Sequence, residues 1–187
     1  MVAYAVLILA ILSRVLPHLL HLTGANVTTV GAGLLFFGSR LRPAHRWRAL
    51  IAVAALAATD WWLTVYAYGY PFHVASYLPT WLWYGAVCLA ASAALYRQRG
   101  VVRVGVAAFA SSTSFFLLSN GMVWLRGNMY PHTAAGLGAC YEAGLPFYRN
   151  DLLSTLVFSA VFFALPWAAA SLTAAARSMS DHGSTAV

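Results

Sequence analysis

The chain has 187 residues, of which 61% are hydrophobic and only 8% charged, against about 25% charged in soluble domains. With so little polar surface most side chains need lipid as their solvent, which excludes a soluble globular domain and predicts an all-α, polytopic membrane bundle. The formal net charge is +7, but every basic residue apart from the histidines is Arg, and most lie in short connections between apolar runs; that is a topology signal, and no nucleic-acid partner is expected.

Six apolar segments can be marked in order. The first, residues 2–22, carries Arg14 and Pro17; it has neither a basic lead-in nor a small-residue cleavage site, so it reads as a retained span. The second, 26–39, is short and glycine-rich. A stretch of that length is either a tilted, half-buried segment or a helix whose ends lie inside protein. The third covers 47–69, the fourth 77–96, the fifth 104–125 and the sixth 152–176. The expected organisation is a six-helix transmembrane domain over 1–177, with an outward loop at 126–150 and a frayed polar tail at 178–187.

The connection between the last two segments is the unusual one. Residues 119–151, SNGMVWLRGNMYPHTAAGLGACYEAGLPFYRND, are crowded with Asn, His, Cys, Glu, Tyr and Gly. Loops longer than about 12 to 15 residues generally bind, gate or are disordered, and this stretch is too aromatic for disorder.

If the segments alternate, one face receives Arg40, Arg42, Arg46, Arg48, Arg97, Arg99, Arg103 and Arg177, and the other only Arg126 and Arg149. The positive-inside rule then makes both termini cytoplasmic and the expected location the inner (plasma) membrane, multi-pass. The long connection faces outward together with the turns near residues 21–26 and 70–76. Trp61, Trp62, Trp81, Trp83, Tyr66, Tyr68 and Tyr70 gather near the outer ends of segments three and four, as an interfacial aromatic belt would.

Arg14 and Asp60 are the charges that stand well inside apolar segments, each roughly 18 to 20 Å from the cytoplasmic end of its helix. An unpaired charge at that depth costs a few kcal/mol or more, so a mutual ion pair is expected, either as a structural pin or as the floor of a polar cavity. Asn120 lies in the outer half of segment five, where its amide needs several partners from a neighbouring helix or a ligand. His18, His21, His73, His132 and Cys140 fall on the outward side with Glu142 nearby. Imidazole, thiolate and carboxylate are the ligand types for Zn, Cu, Ni or Co, but no spacing of a known metal site is present. Cys140 with His132 is the one pairing that suggests a nucleophile and base, and it rests on proximity in sequence alone. GxSxG, Walker A and dinucleotide-binding motifs do not occur.

Three stretches carry a family resemblance: PHLLHLTGANVTTVGAGLLFFG (17–38), TDWWLTVYAYGYPF (59–72) and FFLLSNGMVWLRGNMYPHTAAGLGACYEAGLPFYRNDLL (115–153). They resemble an uncharacterised bacterial family of six-helix membrane proteins with an MYP...CYxAGLPFxxN signature. That family is in turn similar to the substrate-binding S components of energy-coupling factor vitamin transporters. The resemblance implies a compact bundle that captures a small solute from outside beneath capping loops. It also implies membrane lipid and an energising transmembrane module as partners. S components dock on that module through alanines at four-residue spacing in the first helix; Ala3, Ala5 and Ala10 lack that spacing, so a solitary mode stays open. That mode resembles some cobalamin-transporting relatives, and the question it raises is whether the loop thiol Cys140 meets a cobalt centre.

The resulting expectation is a membrane solute-binding or transport protein for a vitamin-like or metal-containing solute, with no resident cofactor and no catalytic residues. Its ligand residues are expected among Arg14, Asn26, Asp60, Asn120, Trp124, Tyr130, His132, Tyr141, Glu142 and Asn150, with Phe147 in the wall. The alternative is a non-catalytic assembly subunit that docks a partner through residues 119–151. A loop folded back over its own helices favours the first, and an outward apolar ridge the second.

Overall fold

A computed structural model describes residues 1–20 and 27–184, with side chains as far as Leu165 in the last helix. Six α-helices follow one another: α1 (Val2–Leu19), α2 (Val30–Ser39), α3 (Ala49–Trp62), α4 (Val74–Leu95), α5 (Val101–Arg126) and α6 (Ala134–Ser184). A 3-10 segment, Pro43–Arg48, leads into α3, and a π-helical turn, Leu63–Ala67, ends it. Among the described residues there are no strands. Val2–Leu19, Pro43–Ala67, Val74–Leu95 and Val101–Arg126 are each long and apolar enough to cross a membrane. The chain is an all-helical membrane bundle.

The second segment proves to be a helix enclosed by protein. α2 has ten residues, all buried, and at 1.5 Å per residue it is about 15 Å long, half the hydrocarbon thickness. It packs against α1, α4, α5 and α6. Gly38 is what allows the tightest approach, since a Cβ there would overlap the backbone of Cys88 on α4. The phenyl rings of Phe36 and Phe37 and the side chain of Leu34 are essentially inaccessible. Burying three such side chains is worth roughly 1.5 to 3 kcal/mol each.

The two ends of α2 are treated differently. At its C-terminus the carbonyl of Ser39 accepts a 2.9 Å hydrogen bond from Arg99, while the Arg40 guanidinium lies 4.8 Å over the Phe36 ring. Arg46 reaches Ser92 Oγ at 3.1 Å, and that hydroxyl donates to the carbonyl of Leu41. The arginines read as a topology signal thus also hold this end of the bundle together, satisfying carbonyls that a helix leaves open. At the N-terminus, Thr29 supplies no side-chain cap, and its backbone N–H donates to Ser13 Oγ on α1 at 3.0 Å. α2 therefore starts beside the middle of α1.

The connection expected to be a long outward loop is mostly helical. α5 runs through Arg126 and α6 begins at Ala134, leaving 127–133 as a tight hairpin turn. Thr133 Oγ1 accepts the backbone N–H of Gly136 at 3.1 Å, an N-cap that starts α6 early. Trp124 Nε1 donates to the carbonyl of Pro131 at 2.9 Å, and the His132 ring lies edge-on to the Trp124 indole. Arg126 donates to the carbonyl of Ala75, tying this hairpin to the turn before α4. α6 also continues through residues 178–184, read from the sequence as part of a polar tail; 185–187 lie outside the described residues.

Candidate functional site

Arg14 and Asp60 form a close ion pair, with NH2 of the guanidinium 2.5 Å from Oδ1. Its partners complete a network across three helices. Arg14 NH1 donates to Thr59 Oγ1 at 3.1 Å and to the Tyr84 hydroxyl at 3.3 Å, and Trp81 Nε1 donates to Asp60 Oδ2 at 2.9 Å. Both carboxylate oxygens are thereby satisfied, the condition under which a buried pair is tolerated. Thr64 Oγ1 bonds the carbonyl of Asp60 and meets the Tyr77 hydroxyl at the head of the π turn. Phe72, Tyr77 and Trp81 stack in a column leading from the α3–α4 turn to Asp60.

Trp81 and Trp83, read as part of the aromatic belt, also have partners inside the bundle. Trp81 serves the ion pair, and Trp83 donates to Ser114 Oγ on α5 at 3.0 Å and faces a central cavity. Trp61, Tyr66, Tyr68 and Tyr70 are exposed, as belt residues would be.

The central cavity has a volume of about 360 Å³ and lies where α2 stops short. Arg14 and the first residues of α2, Val30 and Gly31, form one side of it, and Thr28 precedes them. Trp83, Tyr84, Phe115, Phe116, Phe147 and Tyr148 supply aromatic walls, and Ser112, Ser119, Asn120 and Asp151 the remaining polar groups. Arg14 thus has both roles that the sequence left open: it is paired with Asp60 and it borders the cavity.

α5 and α6 position the far wall. Tyr148 shares a 2.8 Å hydrogen bond with Thr113, the Tyr141 hydroxyl donates to the carbonyl of Leu117 at 2.9 Å, and the Phe116 and Tyr148 rings stack 4.7 Å apart. A Cβ at Gly144 would come within 2.5 Å of Asn120 Oδ1, so glycine there lets the amide lie against α6. Asn120 Nδ2 itself donates to the carbonyl of Phe116.

The expected ligand residues separate into groups. Arg14, Asn120 and Phe147 border the cavity, and Asp60 lies behind Arg14. Tyr130 and His132 belong to the α5–α6 turn, Trp124 to the last turn of α5 packed against it, and Tyr141 to the helix contact below. Glu142 is exposed and borders a shallow outer groove with Leu145, Pro146 and Arg149. Asn150 is half-buried on α6. Asn26 and His21 lie outside the described residues.

His18 contacts the rings of Trp62 and Tyr68, and His73 precedes α4 as its N-cap residue. Cys140 is buried with its thiol directed at the carbonyl of Asn120, and no hydrogen bond joins it to His132. Among the described residues no group of three or more His, Cys, Asp or Glu side chains is arranged to hold a metal ion.

Sequence reasoning passed over Tyr84, Ser112, Tyr148 and Asp151. Asp151 was missed because segment six was started one residue after it. The signal that would have found it is the spacing of Asp151, Thr155 and Ser159, which puts three polar residues on one face of an apolar helix.

Residues 1–177 match the model of a family of unknown function, DUF6580, and the chain belongs to that family. No curated protein and no solved structure matches it.

Proposed function

We propose that this protein is a solute-binding or transport protein of the plasma membrane, similar in mode to an S component, and that the central cavity holds its solute. The cavity itself carries the reading. Its volume of about 360 Å³ lies within the range of about 300 to 1,000 Å³ typical of small-molecule sites, and its make-up of aromatic walls with a few placed polar groups is the usual one. The uncapped N-terminus of α2 beside it is the arrangement by which short helices at mid-membrane present N–H donors to polar groups of a solute. The stretch 119–151 folds back along α5 and supplies Asn120, Gly144, Phe147, Tyr148 and Asp151 to the cavity, which favours solute capture over docking of a partner by that stretch. Entry is from the end opposite the arginine cluster, and driving energy comes from a partner module or from the solute gradient.

Native mass spectrometry of the mildly purified protein tests this reading. A stoichiometric, non-lipid small-molecule mass is expected on the wild type, reduced at least tenfold in occupancy by Asn120→Ala and by the cavity-filling change Ser119→Trp. Lipid as the sole bound species in all three samples would overturn it.

A further inference from the structure

Four buried side-chain oxygens make no hydrogen bond of good geometry among the described residues: Ser111 Oγ, Ser112 Oγ, Thr155 Oγ1 and Ser159 Oγ; of these, Ser112 has the Asp151 carboxyl as its neighbour. All four lie on α5 or α6. Ser112, Thr155 and Ser159 are each at most 1% exposed. An unmet buried hydroxyl costs about 1 to 3 kcal/mol, so four in one pair of helices point to something that occupies their lone pairs.

Asp151 adds the charge. It borders the central cavity beside Ser112, and Thr155 follows one helical turn later on the same face of α6. Ser112 stands about 17 Å from the start of α5, near its middle. Among the described residues Arg14 and Asp60 make the only ion pair, and no basic side chain lies within ion-pair distance of Asp151. The charges of Arg14 and Asp60 cancel, which leaves the Asp151 carboxylate as the one charge bordering the cavity without an ion-pair partner among the described residues. A carboxylate at such depth needs a counter-charge or a proton.

We propose that the seam where α5 and α6 meet the start of α2, with Thr155 Oγ1 against Gly31, binds a monovalent alkali cation through the Asp151 carboxylate and the Ser112 and Thr155 hydroxyls. The donor set selects the class of ion. It is all oxygen, which suits hard cations and not Zn or Cu. A single carboxylate balances one positive charge, whereas divalent sites recruit several. Asp151 and Ser112 border the same cavity as the aromatic walls, so the ion lies at the edge of the solute's space, in the kind of coupling-ion position that transport without an energising partner requires. Ser159 lines a second cavity, of about 660 Å³, between α5 and α6 near Arg99.

Protonation competes with the cation at the same carboxyl. The groups facing it are Arg14 from α1 and Tyr84 from α4, with Tyr148 on its own helix, while α2 and α5 present hydroxyl, amide and backbone groups. The proton neutralises the ligand that the cation needs, so affinity is full where the carboxyl is ionised and is lost as pH falls through its titration.

The test is equilibrium binding of 22Na+ and 86Rb+ to the purified full-length protein between pH 5 and pH 9, with thermal unfolding in NaCl against N-methylglucamine chloride at equal ionic strength. Saturable binding of one ion is expected, weakening at the acid end, with a rise in Tm in the matching salt. Ser112→Ala and Thr155→Val each remove a single hydroxyl and should fold; each should weaken the cation at least fivefold and shrink the salt-dependent Tm shift. Asp151→Asn should abolish both. No saturable binding of either ion at any pH, or binding unchanged in Ser112→Ala and Thr155→Val, overturns the proposal. Neither readout requires the solute, so the result stands apart from the test of solute binding.

Discussion

Asp60 has each carboxylate oxygen engaged, one by Arg14 and the other by Trp81, so removing one member of the ion pair and replacing both should have very different costs. Asp60→Ala leaves Arg14 charged and unpartnered at depth and should cost about 3 to 5 kcal/mol, whereas the joint change of Arg14→Met with Asp60→Leu should cost less than Asp60→Ala alone. Chemical unfolding in detergent micelles measures both. Gly38→Ala forces a methyl group into the backbone of Cys88 and should destabilise by about 1 to 3 kcal/mol, visible as a lower Tm with helix content unchanged. At this scale the sequence was informative wherever a residue was costly to place: Arg14 and Asp60 stand out in apolar runs and they do pair. It was silent where the cost depends on a neighbour's position. Nothing in the local sequence says that Trp83 turns towards α5 and Trp81 towards Asp60, because indoles at a helix end serve the lipid interface equally well.

Helix boundaries decided what could be read at the scale of elements. α2 was legible as a helix with its ends inside protein, one of two readings that its length allowed. α6 was not, because the glycines and polar residues of 134–151 lower its hydropathy to that of a loop. Those residues are helical because Thr133 caps the start and because small side chains such as Gly144 let the chain run close along α5. Trp124→Phe removes the hydrogen bond to Pro131 and should cost about 0.5 to 1.5 kcal/mol. The loss should be concentrated in the α5–α6 turn, as faster hydrogen exchange of amides 127–137 with the α1–α2 core unaffected.

For the whole molecule, the arginine count and the positive-inside rule lead to the expectation that the two ends of the bundle face opposite sides of the membrane. Single cysteines introduced at Asn128 and Gln98 into a Cys88→Ala, Cys140→Ala background should therefore label from opposite sides of the membrane, Asn128→Cys with an impermeant maleimide on intact cells and Gln98→Cys only after permeabilisation. Labelling of both from one side would refute the alternation. In the native chain both cysteines are buried and should resist the same reagent until the protein is unfolded. The expected topology rests on charge, which the sequence displays directly, and the labelling is what checks it. The cavity was not, since it arises from the early end of α2 and from walls contributed by helices more than a hundred residues apart.

The enclosure of α2 also bears on how the chain is made. Ten apolar residues are too few to leave a translocon sideways as a span of their own, and every one of them needs α1, α4, α5 or α6 beside it. While the ribosome is still synthesising α3, this helix has no finished surroundings. It must wait near the exit channel, or pair with α1 as a hairpin, until later helices arrive. Assembly is thus ordered from the inside last, and a nascent chain arrested before α4 is the species that a membrane chaperone or quality-control protease would meet.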